Sequence, residues 1–271
     1  MDFKHILYEK RNGVATITLN NPGMFNALTD AMGDELGQAL KDAEGDLAIL
    51  SLILTGADPG FCSGLDMRRV ASRLDAEATG AETRSRVLLG RGVFGGFSPT
   101  SLYHSRLVTI AAVNGPAVDP GFAFALFCDI RIASEKARFS TRYIRRGVPP
   151  HVGETYLLTR LVGTARAFEL MLLGDFIDAH QAEKYGIVSK VVPHDQLMPE
   201  ARALAERFAK GPAIAISLGK KLITRAADIA PSAEDQMVLE SFYTNMCHNT
   251  EDYKEGVRAS IEKREPVFKG R

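Results

Sequence analysis

The amino-acid sequence predicts an α/β fold with a helical region at its C-terminal end, and three features of the chain indicate it. The first is a β-hairpin near the N-terminus. The second is an alternation of apolar strands with helices, which is typical of parallel β-α units. The third is a mainly helical pattern from about residue 152 onward. We therefore expect a β/α core over residues 1–200 and a helical region over residues 201–271.

The hairpin is predicted from a turn signal between two extended segments. Residues 6–9 favour an extended chain, and Asn12-Gly13 is a strong signal for a two-residue turn. Val14–Leu19 then alternates in period two, as a half-buried strand does. Turn-forming residues at 20–23 end this second strand.

Strands and helices alternate after the hairpin. A helix is expected from about Thr29 to Glu44, because Met32, Leu36 and Leu40 fall on one face. The strands predicted after it lie at Ala48–Leu54, Val108–Val113, Asp129–Ala133 and Ile187–Val192. The first two are almost wholly apolar, as expected for strands that are buried on both faces.

The remaining helices are concentrated in the second half of the chain. Residues 68–106 are less regular and predict helix with interruptions, whereas 120–127 predict a short apolar helix. The later helices are predicted at Gly153–Leu161, Ala165–Leu173, Ala179–Tyr185, Gln196–Lys210, Ala213–Ala227 and Ala233–Lys263. The sequence contains no internal repeat or low-complexity linker.

Composition and charge exclude several classes of protein. The 33 basic residues balance 33 acidic ones, which argues against a nucleic-acid-binding or polybasic membrane-surface protein. No apolar run reaches the roughly 18–20 residues of a membrane span, and the first residues lack a secretory signal pattern. The cysteines are odd in number and widely spaced, with no metal-binding pattern. We therefore expect a cytoplasmic protein with free thiols and no metal.

Several motifs occur in a fixed order from about residue 10 to the C-terminus. They lie at Pro22–Leu28, Leu54–Met67, Ile110–Ile130, Leu161–Val188 and Ile261–Phe268. Each motif alone is weak, but the ordered set resembles the crotonase (enoyl-CoA hydratase/isomerase) superfamily. The chain looks like a divergent member of that superfamily.

The resemblance implies both an architecture and a class of ligand. The fold would be a crotonase-like spiral of β-β-α turns with a C-terminal helical region for trimerisation. The assembly would be a homotrimer, or a hexamer made of two trimers. The ligand would be an acyl-CoA thioester, so that coenzyme A is part of the substrate and no separate cofactor is expected.

The chemistry shared by this superfamily is stabilisation of a thioester enolate by two backbone N–H groups. By resemblance, the first comes from Leu65, just after Gly64. The second falls on Pro120, and proline has no N–H. Losing one such donor costs about 10²–10³ in rate. The Gly121 N–H would replace it if the backbone shifts.

Asp119 precedes this proline and has two interpretations. Aspartate is a preferred helix N-cap and proline is favoured at the first helical position, so Asp119-Pro120 would start the following helix well. The other interpretation is a catalytic carboxylate. A charged carboxylate beside an oxyanion would repel it unless it is protonated or faces away.

A hydratase of this superfamily uses two glutamates, and neither has a counterpart in this chain. The matching positions are Ala123, three residues after the second donor position, and Tyr143. Each general acid or base contributes typically 10²–10⁴ in rate. We therefore expect poor hydratase activity.

His151 and Tyr143 are the predicted catalytic residues. Dienoyl-CoA isomerases and the aryl-CoA dehalogenase of this superfamily place a working aspartate at the position that matches His151, and a histidine can move protons near neutral pH. The alternative is a polar residue at a helix start. Tyr143 would donate a hydrogen bond or only pack. Further candidates are Glu154 and His104. The arginines at 142, 145 and 146 are either surface charges or contacts to an acidic acyl group or a CoA phosphate.

Binding of coenzyme A is expected at the first loop and near the C-terminus. The backbone of the loop resembles the part that contacts adenine, Arg68 would meet a phosphate, and Lys263 matches a lysine that a neighbouring subunit offers to the CoA phosphates. The predicted substrate-binding residues are Ser63, Gly64, Leu65, Asp66, Met67, Arg68, Pro120, Gly121 and Lys263.

Three classes of function remain open from the sequence. The first is an enzyme that acts on an acyl-CoA through an altered acid/base set, as an isomerase, lyase or hydrolase. The second is a non-catalytic acyl-CoA binding protein. The third is a crotonase-like diketone hydrolase without CoA. Arg68 and Lys263 favour the CoA-binding classes, and His151 and Tyr143 favour an enzyme.

Overall fold

The computed structural model describes residues 2–68, 94–228 and 232–271. Its strands are β1 Ile6–Arg11, β2 Val14–Leu19, β3 Ser51–Gly56, β4 Val108–Val113, β5 Pro116–Val118, β6 Ile130–Ser134, β7 Arg138–Ser140, β8 Ile177–Asp178 and β9 Lys190–Val192. Its α-helices are α1 Asp30–Gly45, α2 Thr100–His104, α3 Pro120–Phe127, α4 Glu154–Val162, α5 Thr164–Leu173, α6 Ala179–Lys184, α7 Leu197–Ala209, α8 Ala213–Asp228, α9 Ala233–His248 and α10 Glu251–Glu262. Most of the interrupted helical stretch predicted at 68–106 lies outside the described residues.

The strands form two sheets. The six-stranded sheet has the order β1-β2-β3-β4-β6-β9, and the three-stranded sheet has the order β5-β7-β8. β1 and β2 pair antiparallel through the predicted hairpin, whose turn residues Asn12 and Gly13 have φ of 53° and 75°. Two positive φ angles are what a two-residue turn of type I′ requires. From β2 to β9 the six-stranded sheet is parallel, which confirms the predicted β-α units.

The central strands β3 and β4 are buried along their whole length, as their apolar sequences predict. Side chains on one face, such as Leu52, pack into the main core with Met32 and Leu36 of α1. Side chains on the other face, such as Ile53, pack against α7. Two covered faces explain why these strands are mostly apolar along their length.

Helix α7 spans the predicted boundary at residue 200. Its residues Leu197, Ala201 and Ala205 are buried against the six-stranded sheet. The division into a core of residues 1–200 and a helical region of 201–271 therefore stays a prediction, and α7 belongs by its packing to the sheet. In the described ranges, none of the helices is long and apolar enough to cross a membrane.

A buried lysine attaches α8 to the core. The Lys220 ammonium donates to the carbonyl oxygens of Leu102 and Leu107 at 3.0 and 2.8 Å, and it pairs with the Asp129 carboxylate at 2.8 Å. At the end of the same helix, Asp228 accepts hydrogen bonds from the hydroxyls of two tyrosines, 103 and 156. These contacts fix the helical region against the elements that carry the candidate site.

The single long helix predicted at Ala233–Lys263 is wrong, because two helices occupy this stretch. α9 ends at His248 and α10 begins at Glu251. Thr250 has an extended backbone, and its side chain accepts a hydrogen bond from the Tyr253 N–H. A threonine N-cap of this kind satisfies a helix-start N–H and defines a new helix.

Candidate active site

The first loop of the site connects β3 to the residues that precede the undescribed segment 69–93. Gly64 has a φ of 91°, a conformation that favours glycine. Its carbonyl accepts from the Leu28 N–H at 2.7 Å, and the Ser63 hydroxyl donates to the Met24 carbonyl at 2.9 Å. The Leu65 N–H, by contrast, has no acceptor among the described residues. The loop is therefore held firmly while the amide predicted as an oxyanion donor remains free.

The second part of the site is the turn that starts α3. Pro120 is the first residue of the helix, so Gly121 supplies the first N–H of the helix. The N–H groups of a first helical turn have no intrahelical partner, and that of Gly121 has none among the described residues. This amide is available to act in place of the donor that Pro120 lacks, and that role stays a prediction.

The two parts contact each other closely. A Cβ on Gly121 would lie 2.2 Å from the Cys62 carbonyl oxygen, and a Cβ on Gly64 would lie 3.0 Å from the Val118 carbonyl oxygen. Only glycine permits this approach at position 121. The chain thus brings the free amides of Leu65 and Gly121 into adjoining loops, as an oxyanion hole needs.

The predicted N-cap role of Asp119 is wrong. Its side chain makes no capping hydrogen bond, and its φ of 53° and ψ of −124° differ from the extended backbone of an N-cap residue. A non-glycine residue in such a conformation carries about 1–3 kcal/mol of strain. The carboxylate is instead buried, with Oδ2 accepting from the Arg146 Nη2 at 2.5 Å. Its Oδ1 has no partner among the described residues.

Tyr143 lies in a 3-10 helix, Arg142–Arg146, that follows β7. Its ring is 2% exposed, and its hydroxyl has no hydrogen-bond partner in the described part of the chain. Burial raises the pKa of this phenol, and the negative charges of Glu154 and Asp119 raise the pKa further. Tyr143 is therefore a neutral hydroxyl that is able to donate a hydrogen bond.

His151 lies beside Tyr143, with the ring centroids 4.0 Å apart. Its Nδ1 is 3.0 Å from the Pro149 carbonyl oxygen, and a carbonyl only accepts, so Nδ1 carries a proton. Nε2 has no hydrogen-bond partner among the described residues. The imidazole is exposed, so the structure brings the two predicted catalytic residues together at the edge of the site.

Glu154 is the residue to which sequence reasoning gave too little weight. It is the first residue of α4, it is 0% exposed, and neither carboxyl oxygen has a partner among the described residues. Burial raises its pKa well above the ordinary value, and the charge of Asp119 adds to the shift. The sequence signal was ambiguous, because an acidic residue in a first helical turn is common for reasons of the helix dipole.

Asp119, Tyr143 and Glu154 form a group that we name the buried oxygen cluster. They come from three different elements, yet they hold four of the five buried side-chain atoms that lack a partner within the described ranges. Arg146 joins the group from the side, pairing with Asp119 and lying 5.6 Å from the Tyr143 ring centroid. Buried polar atoms are normally paired. A cluster of buried polar atoms without hydrogen-bond partners does not stabilise the fold and therefore indicates a functional site.

The other two arginines of the predicted group point elsewhere. Arg145 pairs with Asp175 at 2.6 Å, and Arg142 stacks on the Phe176 ring at 5.1 Å. His104 lines an open cavity of about 370 Å³ together with residues of α8 and α9. Its lining includes no member of the buried oxygen cluster.

Three of the residues predicted to bind coenzyme A, namely Met67, Arg68 and Lys263, are exposed. Met67 and Arg68 are exposed at the end of the described loop, and Asp66 accepts from the Arg68 N–H at 3.0 Å. Lys263 is exposed and ends α10 with a φ of 55°. These positions keep the cations available, and their role toward a CoA phosphate stays a prediction.

The two positions that the resemblance matches to hydratase glutamates hold an alanine and a tyrosine, and this correspondence stays a prediction. Ala123 is fully buried in α3, and Tyr143 occupies the second position. The carboxyl groups near the site belong instead to Asp119 and Glu154, which enter from different points of the backbone.

Comparisons with known proteins cover nearly the whole chain. The family model for enoyl-CoA hydratase/isomerase matches residues 9–271. The mitochondrial enoyl-CoA hydratase of Pongo abelii is 35% identical over 277 residues, which cover 99% of this chain and 89% of the relative. The 1,2-epoxyphenylacetyl-CoA isomerase of Escherichia coli K12 is 36% identical over 268 residues, with 98% of each chain covered.

A solved structure confirms the predicted fold class. The crystal structure of enoyl-CoA hydratase from Bacillus anthracis aligns with a TM-score of 0.87 at 30% identity, covering 99% of this chain and 100% of that chain. The chain belongs to the enoyl-CoA hydratase/isomerase family, the crotonase superfamily that its motifs predict.

Proposed function

We propose that this protein is an enzyme that binds an acyl-CoA thioester, stabilises its enolate and moves protons without the two hydratase glutamates. The observation that carries the proposal is the pair of free amides, Leu65 and Gly121, in two adjoining loops. Two such donors stabilise the negative charge that develops on a thioester oxygen. Arg68 and Lys263 support a CoA ligand over a diketone without CoA, because exposed cations suit its phosphates.

Isomerisation is the reaction that we favour among isomerisation, C–C cleavage and thioester hydrolysis. It needs a proton taken from one carbon and given to another, and it needs no water. The side chains near the amides include a neutral phenol, Tyr143, and an imidazole with a free Nε2, His151. A relative from Escherichia coli is named an isomerase of an acyl-CoA. Tyr143 and His151 are the proposed proton-handling residues of this reaction.

A homotrimer, or a hexamer of two trimers, is the proposed assembly. Several large apolar side chains of the C-terminal helices are exposed in the single chain, among them Ile223, Val238, Phe242 and Ile261. Large exposed apolar surfaces mark interaction sites. In a trimer, Lys263 would be offered to the CoA phosphates of a neighbouring subunit. The cytoplasm is the proposed location.

A non-catalytic acyl-CoA binding protein is the second candidate. The observation in its favour is the buried Asp119 carboxylate, which lies immediately before Pro120 and Gly121. A negative charge at this point opposes the formation of an enolate. Pairing with Arg146 reduces this opposition, which is why we place the enzyme first.

Deuterium exchange at the α-carbon of acyl-CoAs distinguishes the two candidates. The protein is incubated in D₂O with butyryl-CoA, 3-butenoyl-CoA and phenylacetyl-CoA, and exchange is followed by NMR. An enzyme should exchange the α-proton of at least one ligand. Tight binding of these thioesters with no exchange of any would favour the non-catalytic candidate.

A further inference from the structure

The buried oxygen cluster contains two carboxyl groups in unlike surroundings. Asp119 pairs with the guanidinium of Arg146 through Oδ2 and leaves Oδ1 without a partner among the described residues. Glu154 has no cationic partner in the described part of the chain, and both of its oxygens are unpaired. An ion pair favours the charged form of a carboxyl group, whereas burial without a partner favours the neutral form.

A charged carboxylate and a neutral carboxylic acid in one site can act as a base and an acid. The charge on Asp119 makes its free Oδ1 a proton acceptor, and a neutral Glu154 is a proton donor. The raised pKa of Glu154, caused by burial and then by Asp119, agrees with this assignment. Environments that push the protonation of two carboxyl groups apart are typical of acid and base roles in enzymes.

The two carboxyl groups also lie close to the start of α3, where the free Gly121 amide is found. Asp119 directly precedes Pro120 and Gly121, whose amide is one of the two free donors. Glu154 begins α4, which packs against α3, the helix that Gly121 begins. Arg146 pairs with Asp119 and lies 5.6 Å from the centroid of the Tyr143 ring. The Tyr143 ring in turn lies 4.0 Å from the ring of His151, three residues before Glu154.

We propose that Asp119 and Glu154 are the proton-transfer pair of this site, at positions where no hydratase glutamate falls. This inference rests on the proposed function and assigns the two proton transfers at carbon to these acids, so that Tyr143 and the adjacent His151 relay protons within the site. Asp119 Oδ1 takes the α-proton, and the C–H electron pair moves into the enolate that the two amides stabilise. Glu154 gives its proton to the γ-carbon of a β,γ-unsaturated acyl group, and the dienolate electrons form the new C–H bond.

The cycle closes within the cluster. After the transfer, Asp119 is neutral and Glu154 is a carboxylate, so the pair has exchanged its protonation. The proton on Asp119 then returns to Glu154, and the Tyr143 hydroxyl is able to pass it because it both accepts and donates. No net proton is consumed, as an isomerisation requires.

The test measures conversion of 3-butenoyl-CoA to 2-butenoyl-CoA and α-proton exchange in D₂O as functions of pH. We expect Glu154→Gln and Asp119→Asn each to lower kcat by about 10²–10⁴ with little change in KM. Wild-type kcat should fall at high pH as Glu154 loses its proton, and Glu154→Gln should lack this alkaline fall. Glu200→Gln is the control, because Glu200 pairs with Lys190 on the surface of α7.

The outcomes separate this inference from the proposed function. If wild-type protein isomerises or exchanges, and Glu154→Gln keeps kcat within about threefold and keeps the alkaline fall, the pair is not catalytic, although the proposed function stands. If His151→Ala alone abolishes turnover while both carboxyl variants stay active, the same conclusion holds. If wild-type protein neither isomerises nor exchanges, the proposed function and the pair both fail. Circular dichroism checks the fold of each variant, and the isosteric Glu154→Gln decides if Asp119→Asn does not fold.

Discussion

The pH dependence of stability gives a direct check on the buried Glu154, independent of any substrate. Burial raises the pKa of this carboxyl above its ordinary value near 4.5, and Asp119 adds to the shift. Between the ordinary and the raised pKa, the folded chain holds one proton more than the unfolded chain does. The free energy of unfolding must therefore fall as the pH rises through this range.

The magnitude of this effect follows from linkage. One group that takes up a full proton on folding changes stability by about 1.4 kcal/mol per pH unit. Glu154→Gln removes the titration and keeps the shape of the side chain. The free energy of unfolding of the variant minus that of wild type should therefore grow with pH, by up to about 1.4 kcal/mol per unit.

Urea unfolding of wild type and Glu154→Gln at several pH values from about 5 to about 7 measures this difference. The protein concentration must be the same throughout, because assembly would shift apparent stability. Glu200→Gln, a surface change on α7, should give a difference that does not vary with pH. A constant difference for Glu154→Gln across this range would show that Glu154 ionises alike in the folded and unfolded states, and the reasoning from burial would be wrong.

Four further predictions follow from the same structure. Crotonyl-CoA hydration should be very slow because Ala123 and Tyr143 supply no carboxylate, and a spectrophotometric turnover of hundreds per second, about that of a fast enzyme, would contradict this. Asp119→Gly should leave the melting temperature unchanged or raise it, because it relieves a strained positive φ. A fall of several degrees would show that Asp119 stabilises the fold. His151→Ala should lower turnover by about 10²–10⁴ with little change in CoA affinity, and a loss below threefold in steady-state assays would remove it from the mechanism. Light scattering at micromolar concentration should give a trimer or hexamer, and a monomer would contradict the role proposed for Lys263.

The sequence predicted the elements of the fold well wherever a local pattern had one meaning. Asn12-Gly13 readily adopts the two positive φ angles that a type I′ turn requires, and the hairpin forms there. Helix α1 has its apolar face where Met32 and Leu36 predicted it. The long C-terminal helix was wrong because Thr250 is as compatible with a helix interior as with an N-cap, and only the fold selects between them.

The candidate site shows the same limit more sharply. The motifs predicted the family, which the comparisons confirm. They further predicted that two hydratase glutamates and the oxyanion donor at Pro120 are missing, and these two points stay predictions. They also led to an N-cap role for Asp119, because Asp-Pro at a helix start has that meaning in most chains. The tertiary structure decided otherwise, since the carboxylate is turned toward Arg146, a residue 27 positions further along the chain.

The sequence named Glu154 as a candidate but did not show its burial, for a related reason. A glutamate in a first helical turn is ordinary in a sequence, and its burial depends on which helix and which loop cover it. The pairing of the two carboxyl groups joins residues 119 and 154 through the packing of α4 on α3, which no local pattern encodes. The sequence by itself determined the family and the loops that carry the candidate amide donors. Which carboxyl groups of the site are protonated depends on burial and on neighbouring charges, and these come together only in the folded chain.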